Sequence, residues 1–129
     1  MPVKQLVVCV VLGALTFGSS IGQVEAPPRT EVPDVRPLLV AAIDAPDGRA
    51  NGTLSGPLAD AITSRFKGTS PIHVEVSTEK RFKQPGCSRL NVRFWQDGVL
   101  LPGAEAPRRQ TVDVGLNYCR DGRPPKSLS

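Results

Sequence analysis

Residues 87–119 have the sequence CSRLNVRFWQDGVLLPGAEAPRRQTVDVGLNYC, and this stretch decides the fold. Apolar and polar residues alternate over residues 90–95 and again over residues 112–119. A period of two residues with one apolar face is typical of antiparallel strands that are covered on one side. The stretch therefore predicts a strand pair that packs one of its faces on a core.

Two cysteines end this stretch, and if they face each other they fix the register of the pair. With Cys87 opposite Cys119, Arg93 lies opposite Asp113, an opposite-charge pair of the kind that stabilises a sheet. The midpoint of this register falls on Gly103, which suits a turn. Two thiols in an exported protein tend to bridge, so we predict a Cys87–Cys119 disulfide. The same register sets three apolar pairs on the other face, which are Leu90 with Leu116, Val92 with Val114 and Phe94 with Val112.

The dipeptide Asp97-Gly98 leaves two alternatives open for the connection. Asp-Gly is a strong two-residue hairpin signal, and such a turn would make residues 99–101 an additional short strand. The same dipeptide also fits a bulge within one long strand.

One helix and a third strand are predicted before this stretch. Pro57 suits the first helical position, Gly68 suits the end, and the stripe of Leu58, Ile62 and Phe66 must lie on a sheet, because so short a helix is not stable alone in water. Alternation over residues 72–77 predicts the third strand. Residues 38–43 (LLVAAI) fit a buried strand, with a helical turn as the open alternative.

The fold class that follows is α+β. We expect a small single domain in which one helix packs on a mainly antiparallel sheet of three to five strands, with one disulfide. A chain of 129 residues has room for one such domain. We divide it into a signal peptide (1–22), an extended proline-rich linker (23–37), the α+β domain (38–120) and a flexible tail (121–129).

The N-terminus carries the pattern of a targeting segment. Lys4 precedes an uncharged apolar run over residues 6–17, and small and polar residues follow it. A membrane anchor would need about 20 apolar residues, so we predict a cleaved signal peptide and no membrane span in the mature chain. Cleavage after Gly22 or after Ala26 is expected, and the mature protein is expected in the periplasm or the medium.

No catalytic motif is found in the sequence. It contains no G-x-S-x-G elbow, no glycine-rich phosphate loop and no zinc signature, and His73 is its single histidine. We therefore expect no enzyme activity, no cofactor and no metal site.

Positive charge is concentrated in the C-terminal half, where residues 80–129 hold ten Lys or Arg against four Asp or Glu. Alternation turns the polar residues of the strand pair outward, and an exposed tryptophan among arginines is the composition of an interface hot spot. The alternative is that Arg93 only pairs with Asp113 and Trp95 only covers Thr111. The candidate binding face consists of Arg89, Arg93, Trp95, Arg108 and Arg109, and a secondary basic connector consists of Lys80, Arg81 and Lys83.

Residues 84–92 (QPGCSRLNV) and 117–125 (NYCRDGRPP) resemble small exported proteins encoded in bacterial conjugative (type IV secretion) gene clusters. The resemblance implies an accessory role in a cell-envelope transfer apparatus and carries over no catalytic residue. The expected function is that of an exported protein–protein interaction module whose partner is another protein of the cell envelope. The alternatives are a binder of an anionic ligand (nucleic acid, lipid head group or acidic glycan) and, as the last choice, a small enzyme.

Overall fold

The computed structural model describes residues 29–129 and, before them, only Gly13 and Gly18. The predictions of a signal peptide and of its cleavage site, and the first part of the predicted linker, lie outside the described residues.

Two helices and five strands make up the described chain, and the strands form one sheet in the order β1-β2-β3-β4-β5. β1 runs parallel to β2, and each later neighbour is antiparallel. The α+β fold with a mainly antiparallel sheet is thereby confirmed, with one helix more than the sequence predicts. The elements in chain order are β1 (Thr30–Val32), α1 (Arg36–Asp44), β2 (Arg49–Leu54), α2 (Pro57–Phe66), β3 (Ile72–Arg81), β4 (Cys87–Val99) and β5 (Arg108–Cys119).

The apolar run at residues 38–43 is helical, so the strand prediction for it is wrong and the open alternative is correct. Parallel strands need a crossover connection, and α1 supplies the one between β1 and β2. Within α1, Leu38, Leu39, Ala42 and Ile43 are buried, the spacing of one helix face.

Both segments predicted to lie outside the domain contribute ordered structure. Residues 30–32 of the predicted linker form β1, where Val32 is buried in the core at 3% exposure, and residues 36–37 begin α1. The tail at residues 121–129 lies along the β3–β4 connection. There the peptide N–H of Lys83 donates to the carbonyl of Ser129 at 2.9 Å, and the N–H of Lys126 donates to Oε1 of Gln84 at 2.8 Å.

The register predicted for β4 and β5 is confirmed from Cys87 opposite Cys119 through Arg93 opposite Asp113, and the two cysteines form a disulfide. β4 is one long strand with an irregularity between Gln96 and Val99, so Asp97-Gly98 is a bulge. Gly98 adopts φ +70°, and a Cβ at this position would overlap the side chain of Thr69. The bulge therefore needs glycine.

The core lies between α1 and one face of the sheet, which we call the helix-side face and which carries Val74, Val76, Leu90 and Val92. The opposite face, which we call the open face, carries His73, Arg93, Trp95 and Asp113. At β5 the helix-side face is left uncovered, since Val112 is 50% exposed and Val114 is 44% exposed. Over residues 29–129, neither helix has the length and apolar character needed to cross a membrane.

Candidate functional site

Trp95 lies on the open face of β4 and contacts three neighbouring side chains. His73 faces it across the β3–β4 ladder, and the two rings stack with their centroids 3.9 Å apart. The guanidinium carbon of Arg109 lies 4.2 Å from the Trp95 ring centroid, and that of Arg29 lies 5.8 Å from it. The indole is therefore held in a cation–π and stacking cluster, and its faces are partly occupied from within the chain.

The open-face arginines of the candidate binding face each have a carboxylate partner. In two of these pairs the carboxylate accepts two hydrogen bonds from one guanidinium, and these bonds hold the pKa values of Asp97 and Asp113 below their ordinary range. An external anion would have to compete with these carboxylates. The pairs are Arg93–Asp113 at 2.8 Å, Arg109–Asp97 at 2.6 Å and Arg89–Glu79 at 3.6 Å.

Four of the five predicted binding-face residues share the open face, and Arg108 is the exception. Arg108 pairs with Val99 after the bulge, and directly opposed residues share a face. Val99 is buried at 5% exposure and lines the helix side, so Arg108 lies there too. Arg108 and Arg109 therefore lie on opposite faces of β5, because successive residues of a strand point to opposite faces, and the candidate binding face stays a prediction.

The three cations of the predicted basic connector have different surroundings. Arg81 donates from Nη1 to the carbonyl of Ile43 at 3.2 Å and from Nη2 to that of Ala45 at 2.9 Å, so it caps the C-terminal end of α1. Lys80 donates from Nζ to the carbonyl of Leu128 at 3.4 Å. Lys83 is exposed. Arg81 and Lys80 are thus bonded within the chain, and the secondary basic connector stays a prediction.

The single histidine gives the Trp95 cluster a measurable pH response. Burial, and secondarily the charge of Arg29, lower the pKa of His73 below its ordinary value of 6.5, while the carboxylates of Asp97 and Glu75 act in the opposite direction. Nδ1 of His73 is buried and has no hydrogen-bond partner within the described chain.

We expect the free energy of unfolding to decrease as the pH falls below about 6.5, because the unfolded chain then binds a proton that folded His73 resists. The loss continues until the pH passes the lower pKa of folded His73. NMR titration of the one imidazole should give a pKa below 6.5 in the folded protein, and His73→Gln should remove this part of the pH dependence. An imidazole pKa at or above 6.5 would contradict the burial.

A second surface, which the sequence does not predict, lies on the helix side between α2 and the last two strands. Leu58 is 57% exposed, Ile62 and Phe66 are half-buried, and Ala59 is the one buried residue of α2. The apolar stripe of α2 is thus not closed onto the sheet. It lines an apolar groove of about 520 Å³ together with Phe94, Val99, Leu101 and Val112.

Polar contacts hold α2 beside the sheet at its C-terminal end. Gln96 of β4 is buried at 5% exposure and donates from Nε2 to Oγ1 of Thr63 at 2.9 Å and to the carbonyl of Ser70 at 2.8 Å. The N–H of Leu100 donates to the carbonyl of Phe66 at 2.8 Å. These bonds fix the position of one end of α2 relative to β4. The apolar groove between them is therefore held open by the fold.

Two cations flank the apolar groove. The guanidinium carbon of Arg65 lies 5.9 Å from the ring centroid of Phe66, and Arg108 lies beside Val99 on the helix side. Neither has a carboxylate within 4 Å among residues 29–129. The groove therefore combines an apolar floor with unpaired positive charge.

Outside the Trp95 cluster and the apolar groove, the described residues offer a polar depression and no metal site. Within the described part of the chain, no group of His, Cys, Asp and Glu side chains is arranged to hold a metal ion. A polar depression of about 370 Å³ on the open face is lined by Arg49, Asn51, Glu75, Ser77 and Arg93, among others.

Comparison with known proteins finds no matching family model, no matching curated protein and no matching solved structure. The functional argument therefore depends on the two surfaces described above, and the apolar groove is the one whose side chains are left without partners.

Proposed function

We propose that this chain is an exported protein–protein interaction module that binds an apolar segment of another cell-envelope protein in the groove between α2 and β4–β5. Export is supported by the apolar run at residues 6–17 and by the disulfide, which forms most readily in an oxidising compartment. The observation that carries the proposal is the uncovered stripe of α2. Contiguous exposed apolar surface on a small domain is typical of interaction sites.

The expected occupant is a short apolar segment with acidic residues beside it. An apolar floor selects leucine-like or aromatic side chains, because their burial contributes about 25 cal/mol per Å² of apolar surface. Arg65 and Arg108, which have no carboxylate partner among the described residues, favour carboxylates next to that segment. The resemblance to exported proteins of conjugative gene clusters suggests that the partner belongs to a transfer or secretion apparatus.

The anionic-ligand alternative has less support from the geometry. Arg93, Arg109 and Arg89 already have carboxylate partners, and Trp95 is stacked on His73. A base or a phosphate would have to displace these internal contacts, whereas an apolar segment in the groove displaces only water. Binding through the open face would also fall steeply with added salt, which separates the two functions experimentally.

The proposal is tested with a library of random 12-residue peptides displayed on phage and selected against the processed protein. We expect the enriched peptides to combine two or three large apolar residues with acidic neighbours. Leu58→Ser should weaken their binding by about tenfold, the equivalent of about 1.4 kcal/mol from lost apolar burial.

A matched control is available in the tail. Leu128 is 59% exposed, almost the same as Leu58 at 57%, and lies outside the groove. Leu128→Ser should leave peptide binding unchanged. Equal weakening by the two substitutions, or enrichment of basic or purely polar peptides, would refute the groove as the binding site.

A further inference from the structure

Among residues 29–129, β5 lies at the edge of the sheet and has a neighbouring strand on one side only. It is 12 residues long, and residues 108–115 are exposed except for the half-buried Gln110. The N–H and C=O groups that point away from β4 can therefore pair with another strand.

Two of the usual protections of an exposed edge, proline and a bulge, are missing from the middle of β5, and its arginines lie at the end of the strand. The strand contains no proline, its pairing with β4 is regular from Gln110 to Cys119, and its two exposed valines lie in the middle. Its one acidic residue, Asp113, is already paired with Arg93. Long, regular edges with exposed apolar residues are those that recruit a further strand.

We propose that the added strand is β5 of a second copy of this chain, paired antiparallel about a two-fold axis at Val114. A two-fold antiparallel edge is self-complementary, so one strand supplies both sides of the contact. In this register Val114 lies opposite Val114 of the second copy, and Val112 lies opposite Leu116 of the second copy. The exposed valines then contact apolar side chains of the second copy on the helix-side face, and the two sheets join into one.

Charge complementarity selects this register. A Cβ on Gly115 would lie 2.6 Å from Nη2 of Arg89, so the guanidinium of Arg89 extends over Gly115 toward the open edge. Pairing about Val114 places Asp113 opposite Gly115 of the second copy. Each Asp113 keeps its bonds to Arg93 and also comes next to Arg89 of the other copy, whose own contact with Glu79 is long at 3.6 Å. Two symmetry-related ion pairs are thereby added on the open face.

The neighbouring registers bring like charges together. An axis at Asp113 sets the two Asp113 carboxylates opposite each other. An axis at Gly115 brings the two Arg89 guanidinium groups together. An axis at Val112 places Arg109 opposite Gly115 of the second copy, and therefore next to the Arg89 guanidinium that covers this glycine. Like charges directly opposed across a sheet are destabilising, so the axis at Val114 is favoured over these three. Its own like-charged pair, Arg108 with Arg120, lies at the ends of the paired strands, where Arg120 is neutralised by Asp44.

The dimer and the apolar groove share Val112, but the dimer depends on the backbone edge and on the Asp113–Arg89 pairing, so the two proposals can be tested separately. Leu58→Ser, which should weaken peptide binding in the groove, should leave the dimer intact. Failure of one proposal can therefore be recognised without affecting the other.

The association is tested by sedimentation equilibrium of the processed protein, over a range from about 1 to 100 μM. We expect a reversible dimer, loss of the dimer in Val114→Lys, and about fivefold weakening in Arg89→Gln, since two exposed ion pairs are lost per dimer. Arg49→Gln, at an exposed arginine distant from β5 in the strand order, should have no effect. A monomer across the whole range, or a dimer that is indifferent to Val114→Lys, would overturn the proposal.

The register is tested by disulfide trapping, with circular dichroism to verify that each variant is folded. Opposed residues have Cβ atoms about 4.5–5.5 Å apart, close to disulfide geometry. Val114→Cys should form a covalent dimer on oxidation. Val112→Cys is the matched control, since it has the same residue type and face but lies two positions from the axis, and it should remain uncrosslinked. Crosslinking at Val112 in preference to Val114 would refute the two-fold axis at Val114.

Discussion

Loss of the Cys87–Cys119 disulfide should lower the free energy of unfolding by roughly 3–4 kcal/mol, which is a large part of the stability of a small domain. The two cysteines are separated by 32 positions, and the size of the closed loop sets the entropy that the unfolded chain regains on reduction. The measurement is urea denaturation of the oxidised and the reduced protein, evaluated at zero denaturant.

A variant separates the effect of the crosslink from that of packing. Cys87 and Cys119 are 3% and 4% exposed, so their side chains also fill space in the folded protein. The combined Cys87→Ala and Cys119→Ala variant should be less stable than the oxidised protein and close to the reduced one. A reduced protein as stable as the oxidised one would contradict the disulfide as a major stabilising element.

Leu90→Ala should destabilise the protein by about 2–5 kcal/mol, because the substitution leaves a cavity in the most enclosed part of the core. Leu90 is fully buried at 0% exposure, in the first half of β4 and on the helix-side face. Leu58→Ala is the matched control at an exposed leucine, and its cost should be below about 1 kcal/mol. Thermal and urea denaturation measure the loss of stability in both variants. Similar losses at the two leucines would contradict the assignment of the core to the α1 side of the sheet.

The β4–β5 pair could be predicted from the sequence because several independent signals agree there. The two cysteines, the alternation on both strands and the opposite charges of Arg93 and Asp113 all specify one register, and that register is the one observed. Where a signal was short, it remained ambiguous. Residues 38–43 are long enough for either a strand or a helical turn, and the parallel pairing of β1, which requires a crossover, is not visible in the local pattern.

The apolar groove was harder to predict than the strand pair, because it depends on which apolar side chains remain exposed. Periodicity identifies the apolar stripe of α2 but does not give its distance from the sheet, which is set by Gln96 and its bonds to Thr63 and Ser70. The stacking of His73 on Trp95 likewise required the β3–β4 register, which no pair of cysteines marks in the sequence. Alternation alone does separate Arg108 from Arg109, and that signal was available.

The central claim is that this protein binds partners through the apolar groove, and chemical-shift mapping tests it most directly. An isotope-labelled sample is titrated with a peptide selected from the displayed library, and the resonances that move are assigned. The account predicts shifts at Leu58, Ile62 and Val112, which line the groove, and none at Arg93 or Asp113 on the open face. Shifts confined to Arg93, Asp113 and their neighbours would contradict it.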